Sequence, residues 1–387
     1  MKALELFAGA GGLALGTEKA GFKHVAVAEW NSDACSTLRL NRPWWNIVEG
    51  DVRHLAYSDF GHDLDLVAGG PPCQPFSLGG RHQAWNDDRD MFPEAIRAVR
   101  EIRPKAFLFE NVRGLARKSF STYIEYIVLQ LTYPSLSRKD KESWQDHLSR
   151  LERHHTGTGG NKLEYKVIPP RVLNAADYGI PQRRERIFFV GFRADIDAQW
   201  SFPEATHSQY ALQIAKWVTG DYWSSRSISP TQAPPSSKML ESLVQVTMDD
   251  PLIPWMTLRD AISDLPDPLV ETSIANHIYQ PGAKPYPGHT GSVLDEPSKT
   301  LKAGAHGVPG GENMIAFPDG TYRYLTVRES ARVQTFPDSY IFQGSWSEAM
   351  RQIGNAVPMD LAAQVAKQIY DALKQAELQK KSLKRCV

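Results

Sequence analysis

The sequence predicts an α/β protein: a layered, Rossmann-like sheet, then a smaller irregular domain, then a return to regular structure at the C-terminus. Three observations carry this. Short apolar runs alternate with amphipathic stretches through the first 131 residues, glycine and proline punctuate the ends of the apolar runs, and periodicity lapses between 193 and 324.

In order along the chain, residues 4–7 read as a strand and 13–20 as a helix, then 25–28 and 32–40, 64–68 and 91–102, 106–109 and 123–131. Residues 134–163 carry a charged helical segment and a Gly/Thr-rich stretch, expected to be a solvated surface insertion without a role. Strand patterning resumes at 167–173 and 187–192. From 193 to 324 the chain is rich in Pro, Gly, Ser and Trp, and a second domain is expected there. Near Leu325 regularity returns, and 359–378 is a long amphipathic helix with Leu361, Val365, Ile369 and Leu373 four residues apart. The expected division is therefore 1–192, 193–324 and 325–387, the last returning to the first domain.

Composition sets limits on function. At 387 residues there is room for two to three domains of roughly 150 residues each. Lys plus Arg and Asp plus Glu are 44 each, so no bulk charge draws the protein onto nucleic acid, and any such binding must come from local groups. Cys35, Cys73 and Cys386 are too few and too scattered for a disulfide framework or a zinc site, which fits a reducing, cytoplasmic setting with no metal. No apolar stretch approaches the roughly 18 residues of a membrane span.

The first chemistry-bearing motif is Phe7-Ala8-Gly9-Ala10-Gly11-Gly12-Leu13-Ala14. It follows a strand and opens a helix, the setting of a glycine turn that lets a nucleotide approach the backbone. Glu29, at the end of the second strand, offers only acceptors and suits two ribose hydroxyls. Asp51, after the third strand, suits an adenine amino group. These features serve NAD and S-adenosylmethionine equally, so an oxidoreductase remains open at this point.

Gly69-Gly70-Pro71-Pro72-Cys73-Gln74-Pro75-Phe76-Ser77 discriminates between them. A lone cysteine is ordinarily a small buried hydrophobe. Flanking prolines and polar neighbours instead place Cys73 in a rigid loop on the same sheet edge as the glycine turn, where a thiolate beside a methyl-sulfonium group is a nucleophile. The next strand ends in Glu110-Asn111-Val112, with a carboxyl group whose pKa burial would raise. A cysteine beside a carboxylic acid suits addition to carbon-6 of cytosine.

With these loops stand Gln182-Arg183-Arg184-Glu185-Arg186, the run from Arg328 to Asp338, and Gly354-Asn355-Ala356-Val357-Pro358. Together, in this order, the blocks resemble the DNA (cytosine-5)-methyltransferase family over nearly the whole chain. The resemblance implies an S-adenosylmethionine-dependent methyltransferase sheet with a smaller target recognition domain. The implied activity is methylation of carbon-5 of a cytosine flipped from a short duplex sequence, in a restriction-modification system with a separate cognate endonuclease.

The resemblance also implies roles. Cys73 is the nucleophile, Glu110 contacts ring nitrogen 3 and the exocyclic amine, and Arg186 neutralises charge at the carbonyl oxygen with Arg184 in support. The cofactor residues are Phe7, Gly9, Gly11, Gly12, Glu29, Trp30, Asp51, Val52, Pro72 and Asn355. Residues 77–90 form a lid, with Gln74, Ser77 and Arg81 facing DNA. The region 193–324 holds nine basic and fifteen acidic residues, so specificity must come from a few groups. Lys299, Thr300, Leu301, Lys302 and His306 form the expected recognition loop, whose Thr-Leu pair resembles the family's marker. The expected partner is double-stranded DNA, met by a monomer. Two alternatives share the fold: a tRNA cytosine-5 methyltransferase and a catalytically silent DNA-binding module.

Overall fold

The structure is a computed structural model and describes residues 1–62, 64–72, 90–157, 163–238, 240–241, 252–270, 273–287, 289–303 and 313–383. Two compact units emerge. The first comprises Met1–Leu173, Glu185–Pro203 and Ala362–Val387; the second comprises Asn174–Arg184 and Glu204–Leu361.

The first unit is built on seven strands: β1 (Lys2–Leu6), β2 (Lys23–Glu29), β3 (Ile47–Glu49), β4 (Leu66–Gly69), β5 (Ala106–Val112), β6 (Tyr165–Asn174) and β7 (Glu185–Arg193). Their order is β3-β2-β1-β4-β5-β7-β6. Neighbours from β3 to β5 pair in parallel, whereas β7 runs antiparallel to β5. Numbering reverses direction between β1 and β4, and ligands bind outside the carboxyl ends of the strands at such a switch point. The helices of this unit include α1 (Gly12–Ala20), α2 (Ser32–Asn41), α3 (Phe92–Ile102), α4 (Ser121–Thr132) and α5 (Trp144–Gly157), and from Ala362 onward the C-terminal helix Met359–Leu383 lies in it too. Asn31 caps α2 by accepting from Ala34 N at 2.9 Å, and Pro93 opens α3, where its missing N–H costs nothing. Leu4, Leu6, Val67, Phe107 and Phe109 of the sheet pack with Ile96, Val99, Ile127 and Leu131 in one core.

The stretch read as a solvated insertion is only half so. His147, Leu148 and Leu151 of α5 are buried, and Leu148 and Leu151 join the main core. His147 Nε2 donates to Leu136 O at 2.7 Å, leaving Nδ1 to accept from Tyr126 OH at 2.8 Å. The charges count toward solubility, but the apolar residues at i and i+3 fix one face inward.

One buried group departs from the usual pattern. Glu5 on β1 is wholly enclosed, both its carboxylate oxygens lack hydrogen-bond partners among the described residues, and burial pushes its carboxyl well above the usual carboxylate range. His24 lies 4.0 Å away and is neutral at physiological pH: burial lowers it to about 4, and its Nε2 meets Thr17 Oγ1 at 3.0 Å. A carboxyl raised in the folded state contributes stability below its unfolded value, and that contribution is lost as pH rises toward the folded value. Glu5→Gln is therefore expected to raise the melting temperature more at pH 8 than at pH 5, each kcal/mol relieved being worth roughly 2–4 °C in a unit of this size. Thermal melts at both pH values check this; an equal shift at both would overturn it.

The second unit has short elements, as its prolines dictate. It holds a three-stranded sheet of Ser292–Val293, Met314–Ala316 and Tyr322–Tyr324, and a pair His207–Ser208 with Ile253–Pro254. A small cluster of Ala176, Leu212, Tyr222, Trp223 and Trp255 packs beside a buried charge network. There Asp295 accepts from Tyr222 OH (2.9 Å), Thr231 Oγ1 (2.5 Å) and Arg259 Nε (2.6 Å). The sequence reading placed the return to the first domain near Leu325. By compactness, Asn174–Arg184 and the residues from 325 to Leu361 pack within the second unit.

Candidate active site

Because β2, β1, β4 and β5 are parallel, their carboxyl ends share one edge, and four expected motif segments converge there. The turn Phe7–Gly12 follows β1, Glu29 ends β2, Gly70–Pro72 follow β4, and Glu110–Val112 close β5.

Glycine is required in the first turn by conformation. Gly9 (φ 54) and Gly11 (φ 84) occupy the left-handed region, as does Phe7 (φ 55). Ala8 N donates to Ala28 O at 3.1 Å, fastening the turn to β2. Among the described residues, a Cβ built on Gly9 would meet nothing within 4 Å, which allows close approach at that position. Glu29 is buried and receives Gly9 N at 2.7 Å and Asn31 N at 2.8 Å, so its carboxylate is held rigidly between the two strand ends. Trp30 beside it is 73% exposed, an indole face that no core position requires. Among the described residues no side chain caps α1 at Gly11, and a helix N-terminus of this kind favours an anion.

Asp51 caps the short turn Val52–His54 by accepting from Arg53 N at 2.9 Å, and the Arg53 guanidinium holds its carboxyl down to about 2. The adenine role expected of it therefore competes with an ion pair to Arg53. Val52 is buried, and Pro72 is exposed. Cys35 is enclosed near Glu29; burial and then the Glu29 carboxylate push its thiol up to about 12, which makes it inert. Cys73, Gln74, Ser77, Arg81 and most of the expected lid lie outside the described residues. The chain on either side of them is anchored: Met91 N donates to Pro72 O at 3.0 Å, and Asn111 Nδ2 to Pro71 O at 2.9 Å.

Glu110 and Arg186 form the centre of this edge. Arg186 Nε lies 2.7 Å from Glu110 Oε1, both side chains being nearly enclosed. The antiparallel register sets Val112 opposite Arg186 and Glu110 opposite Phe188, which brings the two side chains together. Burial pushes the Arg186 guanidinium down while Glu110 opposes that shift. The expectation for Glu110 rested on burial alone; the structure adds the cation. A Cβ on Gly70 would approach Glu110 Oε2 to 3.3 Å, so the loop after β4 closes directly onto this carboxylate.

In the second unit the remaining motif blocks form a buried polar frame. Gln182 Nε2 donates to Gln334 Oε1 at 3.1 Å and its Oε1 accepts from Leu301 N at 3.0 Å, while Gln334 Nε2 donates to Ile353 O at 2.7 Å. Arg184, expected to support catalysis, is fully buried and donates to Leu301 O (2.9 Å) and Gly354 O (2.7 Å). Leu301, expected to face DNA, is 1% exposed and anchors its loop, and Thr300 Oγ1 donates to Arg183 O at 2.6 Å. Lys299 and Lys302 are exposed; His306 lies outside the described residues. Asn355 is exposed at the end of the helix Trp346–Asn355. Sequence reasoning missed Asn313, a buried amide that brackets the backbone of Lys302, because no motif or periodicity marks it. Among the described residues no cluster of His, Cys, Asp or Glu could hold a metal ion, and no helix is long and apolar enough to cross a membrane.

A family model described as C-5 cytosine-specific DNA methylase matches residues 1–133 and 160–371. The gap falls within the stretch read as an insertion. Type II methyltransferase M.Eco47II of Escherichia coli is 37% identical over 379 residues, covering 96% of this chain and 79% of that protein. Type II methyltransferase M.NgoMIV of Neisseria gonorrhoeae is 34% identical over 383 residues, covering 96% and 97%. Among solved structures, the S. pombe Dnmt2 methyltransferase superposes with a TM-score of 0.57 at 18% identity, covering 96% of this chain and 99% of that one, a likeness of fold. The Entamoeba histolytica methyltransferase EhMeth does so at 0.57 and 14%, covering 96% and 98%.

Proposed function

The chain belongs to the family of C-5 cytosine-specific DNA methylases, and from that premise we propose that it methylates a flipped cytosine in duplex DNA using Cys73, Glu110 and Arg186, with S-adenosylmethionine as donor. The observation that carries this reading is the buried Glu110–Arg186 pair at 2.7 Å on the sheet edge that also holds the glycine turn. The Cys73 thiolate forms a bond to carbon-6, which turns carbon-5 into a carbanion-like centre. Glu110 holds ring nitrogen 3 and the exocyclic amine, and Arg186 supplies a preorganised cation where negative charge develops at the carbonyl oxygen. Carbon-5 takes the methyl group with release of a neutral thioether; its proton then passes to a water-borne base as the sulfur–carbon bond breaks, and the thiolate is restored.

The first unit's residues fit the donor. Glu29 presents acceptors for the ribose hydroxyls, Trp30 an exposed ring for the adenine, Gly9 a position open to close approach, and the N-terminus of α1 a favourable end for the methionine carboxylate. When bound, that group supplies an electrophilic methyl on a sulfonium. Phe7, Asp51, Val52 and Pro72 complete the lining. Extrusion of the base costs a few kcal/mol of stacking, which contacts in the pocket offset.

Lys299 and Lys302 are the proposed DNA contacts of the recognition segment, with Thr300 and Leu301 as its anchors. A cognate endonuclease, as in restriction-modification systems, is the proposed functional companion. The test is transfer of labelled methyl to duplex DNA, tRNA being the control, together with trapping on duplex DNA carrying 5-fluorocytosine. Wild type is expected to label DNA and form a denaturation-resistant adduct; Cys73→Ala is expected to do neither. Label on tRNA alone, or an adduct with Cys73→Ala, would overturn the reading.

A further inference from the structure

Lys302 is exposed, yet its backbone is clasped from two directions. Asn313, itself wholly buried, accepts from Lys302 N through Oδ1 at 3.0 Å and donates to Lys302 O through Nδ2 at 2.9 Å. An amide side chain carries one acceptor and one donor group in a fixed plane, so it stands in for the backbone of a neighbouring strand. Asn313 is in turn held by Leu325 N, which donates to its carbonyl at 2.9 Å, and it leads into the strand Met314–Ala316. Across from it lies Gly354: a Cβ there would come within 2.5 Å of Lys302 C and 2.4 Å of Ala303 N. The residue before Lys302 is fixed as well, since Leu301 N and O are bound by Gln182 and Arg184. Both peptide groups that flank the Lys302 Cα are therefore immobilised, and the direction of its Cα–Cβ bond is set.

We propose that Asn313 is a positioning residue for DNA specificity, holding Lys302 so that its ammonium meets one base edge or phosphate of the target and not its near neighbours. This rests on the reading of Lys299 and Lys302 as DNA contacts. Bond partners of this kind matter for discrimination because sequence is read by a few hydrogen bonds whose donors must be held in place, whereas loosely held cations bind any phosphate. A clasp made only of side-chain amide to backbone leaves the chemistry of methyl transfer untouched, so its loss is expected in fidelity before rate.

The experiment uses the full chain, with bisulfite sequencing of a random-sequence duplex pool methylated to limited extent. Wild type defines the preferred sequence. Asn313→Asp keeps the Oδ1 acceptor but loses the donor, Asn313→Ala loses both, and Asn313→Gln keeps the group on a longer stem. The ratio of methylation at the preferred sequence to that at single-mismatch sequences is expected to fall about tenfold or more in Asn313→Ala, less in Asn313→Asp and least in Asn313→Gln, with KM for the methyl donor unchanged. Folded variants with the wild-type ratio, or with all methylation lowered uniformly, would overturn the proposal, as would failure of all three to fold. Lys299→Ala and Lys302→Ala separate the two levels. If neither changes the ratio, the reading of the segment as a DNA contact fails; if Lys302→Ala changes it and the Asn313 variants do not, only the positioning role fails.

Discussion

Arg186→Ala is expected to lower the single-turnover rate of methyl transfer by about 10²- to 10³-fold, the usual cost of removing one preorganised donor from a site of developing negative charge. The guanidinium is nearly enclosed and its Nε lies 2.7 Å from Glu110 Oε1, so it acts where water does not screen it. Its removal also leaves Glu110 buried without its cation, a loss of about 3–5 kcal/mol of stability in comparable cases. Chemical denaturation of the same preparation separates the two effects. Arg186→Lys keeps the charge but not the planar fork, and is expected to recover stability more than rate. Because the partners form one unit, Glu110→Gln and Arg186→Ala combined are expected to cost less than the sum of the single losses. A folded Arg186→Ala protein within threefold of the wild-type rate would remove Arg186 from the chemistry.

Much of the first unit was legible because its signals are local. A strand followed by Phe7–Gly12 can turn back into a helix only with glycine at left-handed positions, and Gly9 and Gly11 adopt those values. The runs at 106–109 and 187–192 expose no polar alternation and so read as buried strands; both are present, and β5 extends through Glu110 to Val112. What the sequence hid depends on distant partners. Strand alternation would set Arg184 and Arg186 on one face, but β7 begins at Glu185, so the period of two does not extend back to Arg184. Its partners, Leu301 and Gly354, are 117 and 170 residues away, and no local pattern announces them. The same applies to Asn313 and to the packing of 325–361 with the second unit. Asp51 follows the end of β3, and its ion pair with Arg53 two residues on is a contact that the motif does not announce.

Arg184→Ala carries the second large expected effect, and its character tells positioning from catalysis. Two carbonyl oxygens, of Leu301 and Gly354, receive the guanidinium inside a wholly buried pocket. Each would be left unsatisfied at about 1–3 kcal/mol, and the vacated volume adds a cavity, so an overall loss of about 3–6 kcal/mol of stability follows. No water-accessible surface of Arg184 remains from which to meet a substrate. Its effect on turnover must therefore pass through the loop at Leu301 and the turn at Gly354. Arg184→Lys, with a single ammonium, can reach one carbonyl but cannot span both in the plane of a fork, and is expected to keep part of the stability. At a temperature where the variants remain folded, KM for DNA is expected to rise while kcat changes less than in Arg186→Ala. Denaturation midpoints and steady-state kinetics on one set of proteins check this. A stable Arg184→Ala protein with kcat lowered as far as in Arg186→Ala, and KM for DNA unchanged, would restore Arg184 to a direct role in the chemistry.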